Sequence, residues 1–291
     1  MNDALSQAQF LTILTREEAV ARFDAALFPR ATSQERIALA QALGRVLAQD
    51  VFAPVDVPPF DRSNVDGFAL RAADVTQASE AAPIRLTLNA EEIHCGTAPK
   101  LVVASGTATP IATGGPLPRG ADAVIMIEQT QPDGGAILVR RAVAPGQFIS
   151  SAGSDMARGE MLLRAGVEIG AREIGMLSAC GLAQVDVTRR PRVAILSTGD
   201  ELVQPGGELK PAQIYDTNGA IVAAAVNEHG GEADFRGAVK DEEQALESAM
   251  REALAQSDML ILSGGTSKGA GDLTHRIIAR LGVPGIIAHD N

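Results

Sequence analysis

From residue 190 onward the chain repeats one arrangement: an apolar, β-branched run breaks into a loop, and a helix-like stretch follows. The pattern predicts strands over 192–197, 233–239, 258–263 and 284–288, with helices over 217–229, 241–256 and 272–281. Strands and helices alternating at this spacing imply a parallel sheet with right-handed crossovers. Ligands of such sheets bind where loops leave the carboxyl ends of the strands. Chemistry is therefore expected after Val193-Ala194-Ile195-Leu196, in Ser197-Thr198-Gly199-Asp200-Glu201, and after Met259-Leu260-Ile261-Leu262, in the glycine-rich run Ser263 to Asp272.

The rest of the chain follows other rules. With 291 residues it exceeds one ordinary core, so two or three domains are expected. Thr15 and Glu18 form a capping box ahead of an apolar stripe at Ala19, Val20, Phe23, Ala26 and Leu27, which predicts a helix. Ser33 to Leu47 reads as a strand passing into a helix. Pro54 to Pro59 reads as extended, because each proline fixes its own φ and biases its predecessor away from helix. Short alternating runs from 60 to 150, such as Ile84 to Leu88 and Ala136 to Val139, predict a small β module, a distorted barrel. A second alternating piece within 153–185 carries a helix at Ala171 to Cys180 that stops at Gly181. This piece is expected to return to the N-terminal elements. The fold class is thus α/β plus β in a multidomain chain: 12–55 with 153–185, then 56–152, then 186–291. The last of these reads as incomplete, because Ile286 to Asn291 falls at the end of a predicted strand and leaves a sheet edge uncovered.

Composition narrows function. A formal charge of −11 without a lysine- or arginine-rich run lacks the electrostatic footprint of nucleic-acid binding. An acidic surface repels anions at long range, so a phosphate or oxyanion ligand needs local groups or a bridging cation. Cys95 and Cys180 stand far apart without metal-type spacing and read as buried hydrophobes. Neither a leader nor an apolar run of about 18 residues is evident, so neither membrane nor export is expected and the chain is placed in the cytoplasm.

Four glycine-linked acidic sites recur: Asp66 in Ser63-Asn64-Val65-Asp66-Gly67, Asp155 in Gly153-Ser154-Asp155, Asp200 with Glu201, and Asp272. Glycine permits close backbone approach to a ligand, and carboxylates supply the hard oxygens that Mg²⁺ prefers. An aspartate beside glycine is also an ordinary turn residue. The run from Gly264 and Gly265 through Ser267 and Lys268 to Asp272 could wrap an anion, yet it lacks the glycine-lysine-serine/threonine ending of a Walker loop. Asp216-Thr217-Asn218 can cap the following helix, and Thr113 offers a hydroxyl beside flexible backbone. The histidines at 94, 229, 275 and 289 have no ligand spacing, and no nucleophile–base pair is visible.

Taken in order, SNVDGFA at 63–69, IATGGPLPRGADAV at 111–124, GSDMARGEMLL at 153–163, VAILSTGDELV at 193–203, IYDTNG at 214–219 and SGGTSKGAGD at 263–272 resemble the molybdopterin molybdenumtransferases, including the gephyrin E domain. The resemblance implies a three-layer molybdopterin-binding α/β domain in an elongated homodimer. It implies an enzyme that, with Mg²⁺, hydrolyses adenylylated molybdopterin and inserts molybdate into its dithiolene, releasing AMP. On that pattern Asp66 and Thr113 line a cleft from one protomer, and Glu201, Ser267 and Asp272 come from its partner. Asp66, Asp155, Glu201 and Asp272 are the implied metal ligands. Gly199, Asp200, Asn218, Gly264, Gly265, Ser267 and Lys268 are the implied molybdopterin contacts. Two departures stand out: a lysine at 268 where the family has a hydrophobic residue, and no lysine-proline-glycine-lysine-proline segment or further β-barrel after 284. The alternatives are a non-catalytic molybdopterin-binding or scaffolding protein and, against the long N-terminal half, a molybdopterin adenylyltransferase.

Overall fold

A computed structural model describes residues 14–26, 30–264 and 270–282. Gly265, Ser267, Lys268, His289 and the strand expected over 284–288 lie outside them. The chain divides into two compact units, residues 36–187 and the remainder, each described by itself.

Helix α1 (Arg16–Ala26) opens with the expected capping box. The Thr15 amide donates to Glu18 Oε2 (3.0 Å), and the Glu18 amide donates to Thr15 Oγ1 (3.3 Å). Among the described residues its apolar stripe is not buried: Val20 and Phe23 are each about half exposed, and Leu27 lies outside the described residues.

The helix expected up to Leu47 does not form. Strand β1 (Gln34–Ala38) runs into one 3-10 turn at Leu39–Gln41. Gly44, at φ +69°, then turns the chain into extended bridges Val46↔Glu168 and Leu47↔Val187. The apolar spacing that mimics a helix serves a long-range core instead, in which Leu39, Ala42 and Leu47 pack with Ile169, Leu177, Val185 and Val187. The returning elements of that core are helix α2 (Ala171–Ala179) and strand β12 (Gln184–Thr188), the latter paired with β1. As predicted, α2 stops at Gly181, which takes φ +76°.

A two-stranded ribbon carries the chain to the β module and back. Strand β2 (Val51–Phe52) pairs with β11 (Met161–Leu163), and β3 (Arg62–Ser63) pairs with β10 (Ile149–Ser150). Carboxylates of the outgoing strand tie it to the returning one by accepting from backbone amides there. Asp50, Asp56 and Asp61 accept from the amides of Ala165, Arg158 and Ala152, each at 2.8 Å.

The module itself is β4 (Gly67–Leu70), β5 (Ile84–Leu88), β6 (Thr107–Ile111), β7 (Ala123–Met126), β8 (Thr130–Asp133) and β9 (Ala136–Val139). They form one sheet in the order β7-β4-β6-β5-β9-β8, with β5 and β6 parallel and the other pairs antiparallel. The edge strands β7 and β8 do not pair, so this is a half-barrel and not a closed barrel. Alternation assigns the two faces. Leu70, Leu86, Ile125 and Ile137 join one buried cluster, while Ala69, Ile93, Ile111 and Val124 join another.

In the second unit, β13 (Arg192–Thr198) lies between β16 (Glu232–Val239) and β17 (Met259–Ser263) in a parallel sheet. Helices α3 (Thr217–Glu228), α4 (Glu243–Gln256) and α5 (Ala270–Leu281) complete it, with the short parallel pair β14 (Leu202–Val203) and β15 (Ile214–Tyr215) outside the main sheet. The expected alternation is present, with ends displaced by one or two residues. Central position explains why β13 is buried from Val193 to Thr198. Ala194 and Leu196 pack with Leu246, Met250 and Ala253 of α4 and with Leu273 and Ile277 of α5.

Asp216 caps α3: its Oδ1 accepts from the Gly219 amide at 2.9 Å while the residue is 1% exposed. Asp216→Ala is expected to cost about 1–2 kcal/mol of stability in denaturant unfolding, with Asp216→Ser retaining most of it. An unchanged midpoint for the alanine variant would remove the cap from this account.

Candidate functional site

The first unit presents Asp66 and Thr113 together. Antiparallel register sets Gly67 opposite Ile111, so the residue before β4 meets the loop after β6. Asp66 Oδ1 accepts from both the amide (2.6 Å) and the hydroxyl (2.9 Å) of Thr113. These bonds, the backbone one first, hold the exposed Asp66 carboxyl below the usual carboxylate range. Both bonds fall on one oxygen and leave Oδ2 outside the Thr113 pair. The neighbouring turn is tied by the Ser150 hydroxyl, which donates to Asn64 Oδ1 at 2.7 Å.

A pKa that is lower folded than unfolded adds stability above the unfolded value, and this stability is lost as pH falls through the folded value. Thr113→Val deletes the hydroxyl donor and keeps the amide. The Asp66 pKa is expected to rise partway towards the ordinary value in a carboxyl ¹³C titration; no movement would mean that the hydroxyl contributes nothing.

Asp155 faces a different partner: Arg62 Nη2 lies 3.7 Å from its Oδ2, with both side chains well exposed. The expectation that both cysteines are buried holds for Cys180 alone. Cys95 is exposed, and its thiol donates to the Thr113 carbonyl at 3.1 Å. It lies in a turn between strands β5 and β6 of the half-barrel.

The second unit gathers three strand exits at the carboxyl edge of its sheet. Thr198 of β13 pairs with Val239 of β16, and Ser197 pairs with Ser263 of β17. Past β13, the Gly199 amide points at the Val239 carbonyl (3.4 Å), and Glu201 folds back over Gly199. A β-carbon at Gly199, whose φ is +147°, would meet the Glu201 carboxylate at 2.8–3.0 Å. Gly264, at φ +106°, leaves no room for a side chain against Thr198, where a β-carbon would lie 3.0 Å from Oγ1. These glycines are where the backbones of two exits touch.

One acid of this cluster escapes the glycine pattern. Asp241 follows β16 and has its pKa raised, by partial burial first and then by the negative charges of Asp200 and Glu201, with the Thr198 hydroxyl opposing. The available signal was positional: an Asp two residues past a predicted parallel strand. Asn218 is exposed in the first turn of α3. The backbone of Asp272 lies in α5, and its side chain is outside the described residues. Among the described residues no three of His, Cys, Asp and Glu form a ready metal-ligand set.

The model of the MoeA N-terminal region (domain I and II) matches residues 14–181, more than half of the chain. The chain belongs to the MoeA family. A second model, described as a probable molybdopterin binding domain, matches 194–290, which contains all three strand exits. The MoeA relatives include a molybdopterin molybdenumtransferase of Nostoc sp., 39% identical over 259 residues, covering 88% of this chain and 59% of the relative. The protein of the same name from Bacillus subtilis is 36% identical over 259 residues, covering 88% and 60%. This chain therefore spans about three fifths of the length of those relatives. Among solved structures, a molybdopterin biosynthesis MoeA protein from Pyrococcus horikosii superposes with a TM-score of 0.83 at 39% identity, covering 93% of this chain and 67% of that one. Half-barrel and α/β sheet are thus MoeA-like. No helix among the described residues is long and apolar enough to cross a membrane.

Proposed function

We propose that this chain acts in molybdenum cofactor synthesis, as a molybdopterin molybdenumtransferase that inserts molybdate into adenylylated molybdopterin and releases AMP. The observation that carries the reading is the meeting of three strand exits at one sheet edge, with Asp200, Glu201 and Asp241 in electrostatic reach of one another, inside a segment matching a molybdopterin-binding model. The names of the relatives support it.

In this reading Gly199, Asp200, Asn218, Gly264, Gly265, Ser267 and Lys268 surround molybdopterin and its phosphates. Close approach is possible because glycine lines the exits. Asp66 and Thr113 form the second half of the site, contributed by the partner protomer of a homodimer. Thr113 holds Asp66 in its ionised form and in place, so that its second oxygen can accept a hydrogen bond from the reacting group. In this reading the protein works in the cytoplasm.

Mg²⁺ fits the donor chemistry, since the crowded groups offer only hard oxygens and Asp241 is disfavoured as an anion by partial burial first and then by its two neighbours. Among the described residues no three acids stand together as a ready ligand set, so Glu201 and Asp241, with Asp272 and the Asp66 and Asp155 of the other half of the site, would hold it only once both halves meet. When bound it would polarise the phosphoanhydride. The test is to incubate the purified chain with adenylylated molybdopterin, Mg²⁺ and molybdate, following AMP and cofactor. AMP release coupled to cofactor formation is the expected result. Binding without AMP would overturn the enzyme reading and leave a molybdopterin-binding scaffold.

A further inference from the structure

Strand β16 contains one residue too many for its partner. Ile195 pairs with Phe235 and Ser197 with Ala238, so two steps along β13 match three along β16. The extra residue is accommodated at Gly237, which takes φ +84°. Its effect can be followed by face. Phe235 lies against Gly219 of α3, where a β-carbon would collide with the ring, whereas Val239 packs into the cluster of α4 and α5. Residues four apart in an unbroken strand share a face. The bulge flips the strand, and everything beyond it, Asp241 included, emerges with reversed parity.

The bulge is occupied from outside. A β-carbon at Gly237 would overlap Gln204 Nε2 and lie 3.5 Å from Gln204 Cδ, so the Gln204 carboxamide sits where a side chain at 237 would stand. Gln204 follows β14 directly, three residues after Glu201, and its carbonyl accepts from the Gly207 amide at 3.0 Å. One side chain therefore links the loop bearing Asp200 and Glu201 to the strand bearing Asp241.

We propose that Gln204 is a positioning residue: wedged on the Gly237 bulge, it locks the β16 exit to the β13 exit and so sets Asp241 beside Asp200 and Glu201. This rests for its consequence on the proposed cation site, to which these acids would contribute, and for its geometry on the bulge alone.

The test uses the full chain, with Mn²⁺ alone as the metal probe and amide exchange as an independent readout. Gln204→Ala is expected to speed exchange of Val239 to Asp241 at least tenfold, leave Arg192 to Ile195 unchanged, and weaken Mn²⁺ binding several-fold. Gln204→Met, which keeps the length and loses the amide, is expected to restore slow exchange if the wedge is steric. Gly237→Ala, strained at positive φ and forced against Gln204, is the harsher variant, and Gln204→Ala in the same chain relieves only the collision. Wild-type exchange at 239–241 in Gln204→Ala would overturn the proposal. If the unsubstituted chain fails to bind Mn²⁺ while Gln204→Ala still speeds exchange, the cation reading falls and the wedge stands.

Discussion

Replacing Gly67 by alanine is expected to unfold the half-barrel. A β-carbon there would overlap the carbonyl oxygen of Ile125 and sit 2.9 Å from its carbon. Both are backbone atoms of the neighbouring strand β7, and Gly67 is paired with Met126 beside them. No rotamer change can make room, so the pairing of β4 with β7 must open and uncover Ala69, Leu70, Val124 and Ile125, all fully buried. The cost is expected to reach about 3 kcal/mol or more, the range of a disrupted core. Gly135→Ala is the control, because its β-carbon meets open space and its backbone is not left-handed. It should stay within about 0.5 kcal/mol. Denaturant unfolding of both variants, followed by circular dichroism, decides the matter. Equal midpoints would show that the two strands can separate at no cost.

Glu201→Ala should reduce AMP release from adenylylated molybdopterin about 100-fold or more, because in the proposed site Glu201 would help to hold the cation that offsets the negative charge developing on the phosphates. Glu201 is exposed, so the variant should unfold at the same denaturant concentration as the parent. Asp66→Asn keeps the acceptor that Thr113 uses and deletes only the charge. A similar loss there, again at constant stability, would assign both halves of the proposed site to the reaction. Full activity in either variant would remove that residue from the mechanism.

The elements were legible in the sequence where local and long-range demands agree. Strand β13 is apolar and buried from Val193 to Thr198 because its central place in a parallel sheet covers both faces, and the apolar run Met259 to Leu262 marks β17 beside it. Helix α2 and its stop at Gly181 were legible for the same reason. Leu39, Ala42 and Leu47 misled, since their spacing suits a helix while their partners, Ile169 and Val187, lie far along the chain. The half-barrel strands could be counted, but nothing local reveals that β5 and β6 run parallel or that β7 and β8 stay apart. Within the site, glycine flagged Asp66 and the β13 exit because close backbone contact leaves a compositional mark. Asp241 left none. Its place depends on a bulge four residues upstream, filled by a side chain from another loop, and such parity changes are invisible to periodicity.

The ribbon has a consequence for how the β module relates to the rest of its unit. Because Ser63 pairs with Ile149, the chain leaves for the half-barrel and comes back through neighbouring points. A segment whose ends meet in this way is a cassette. It could be lengthened, shortened or swapped between homologues at just two splice positions. The stitched strands on the near side would register the exchange only as a change in the size of one loop.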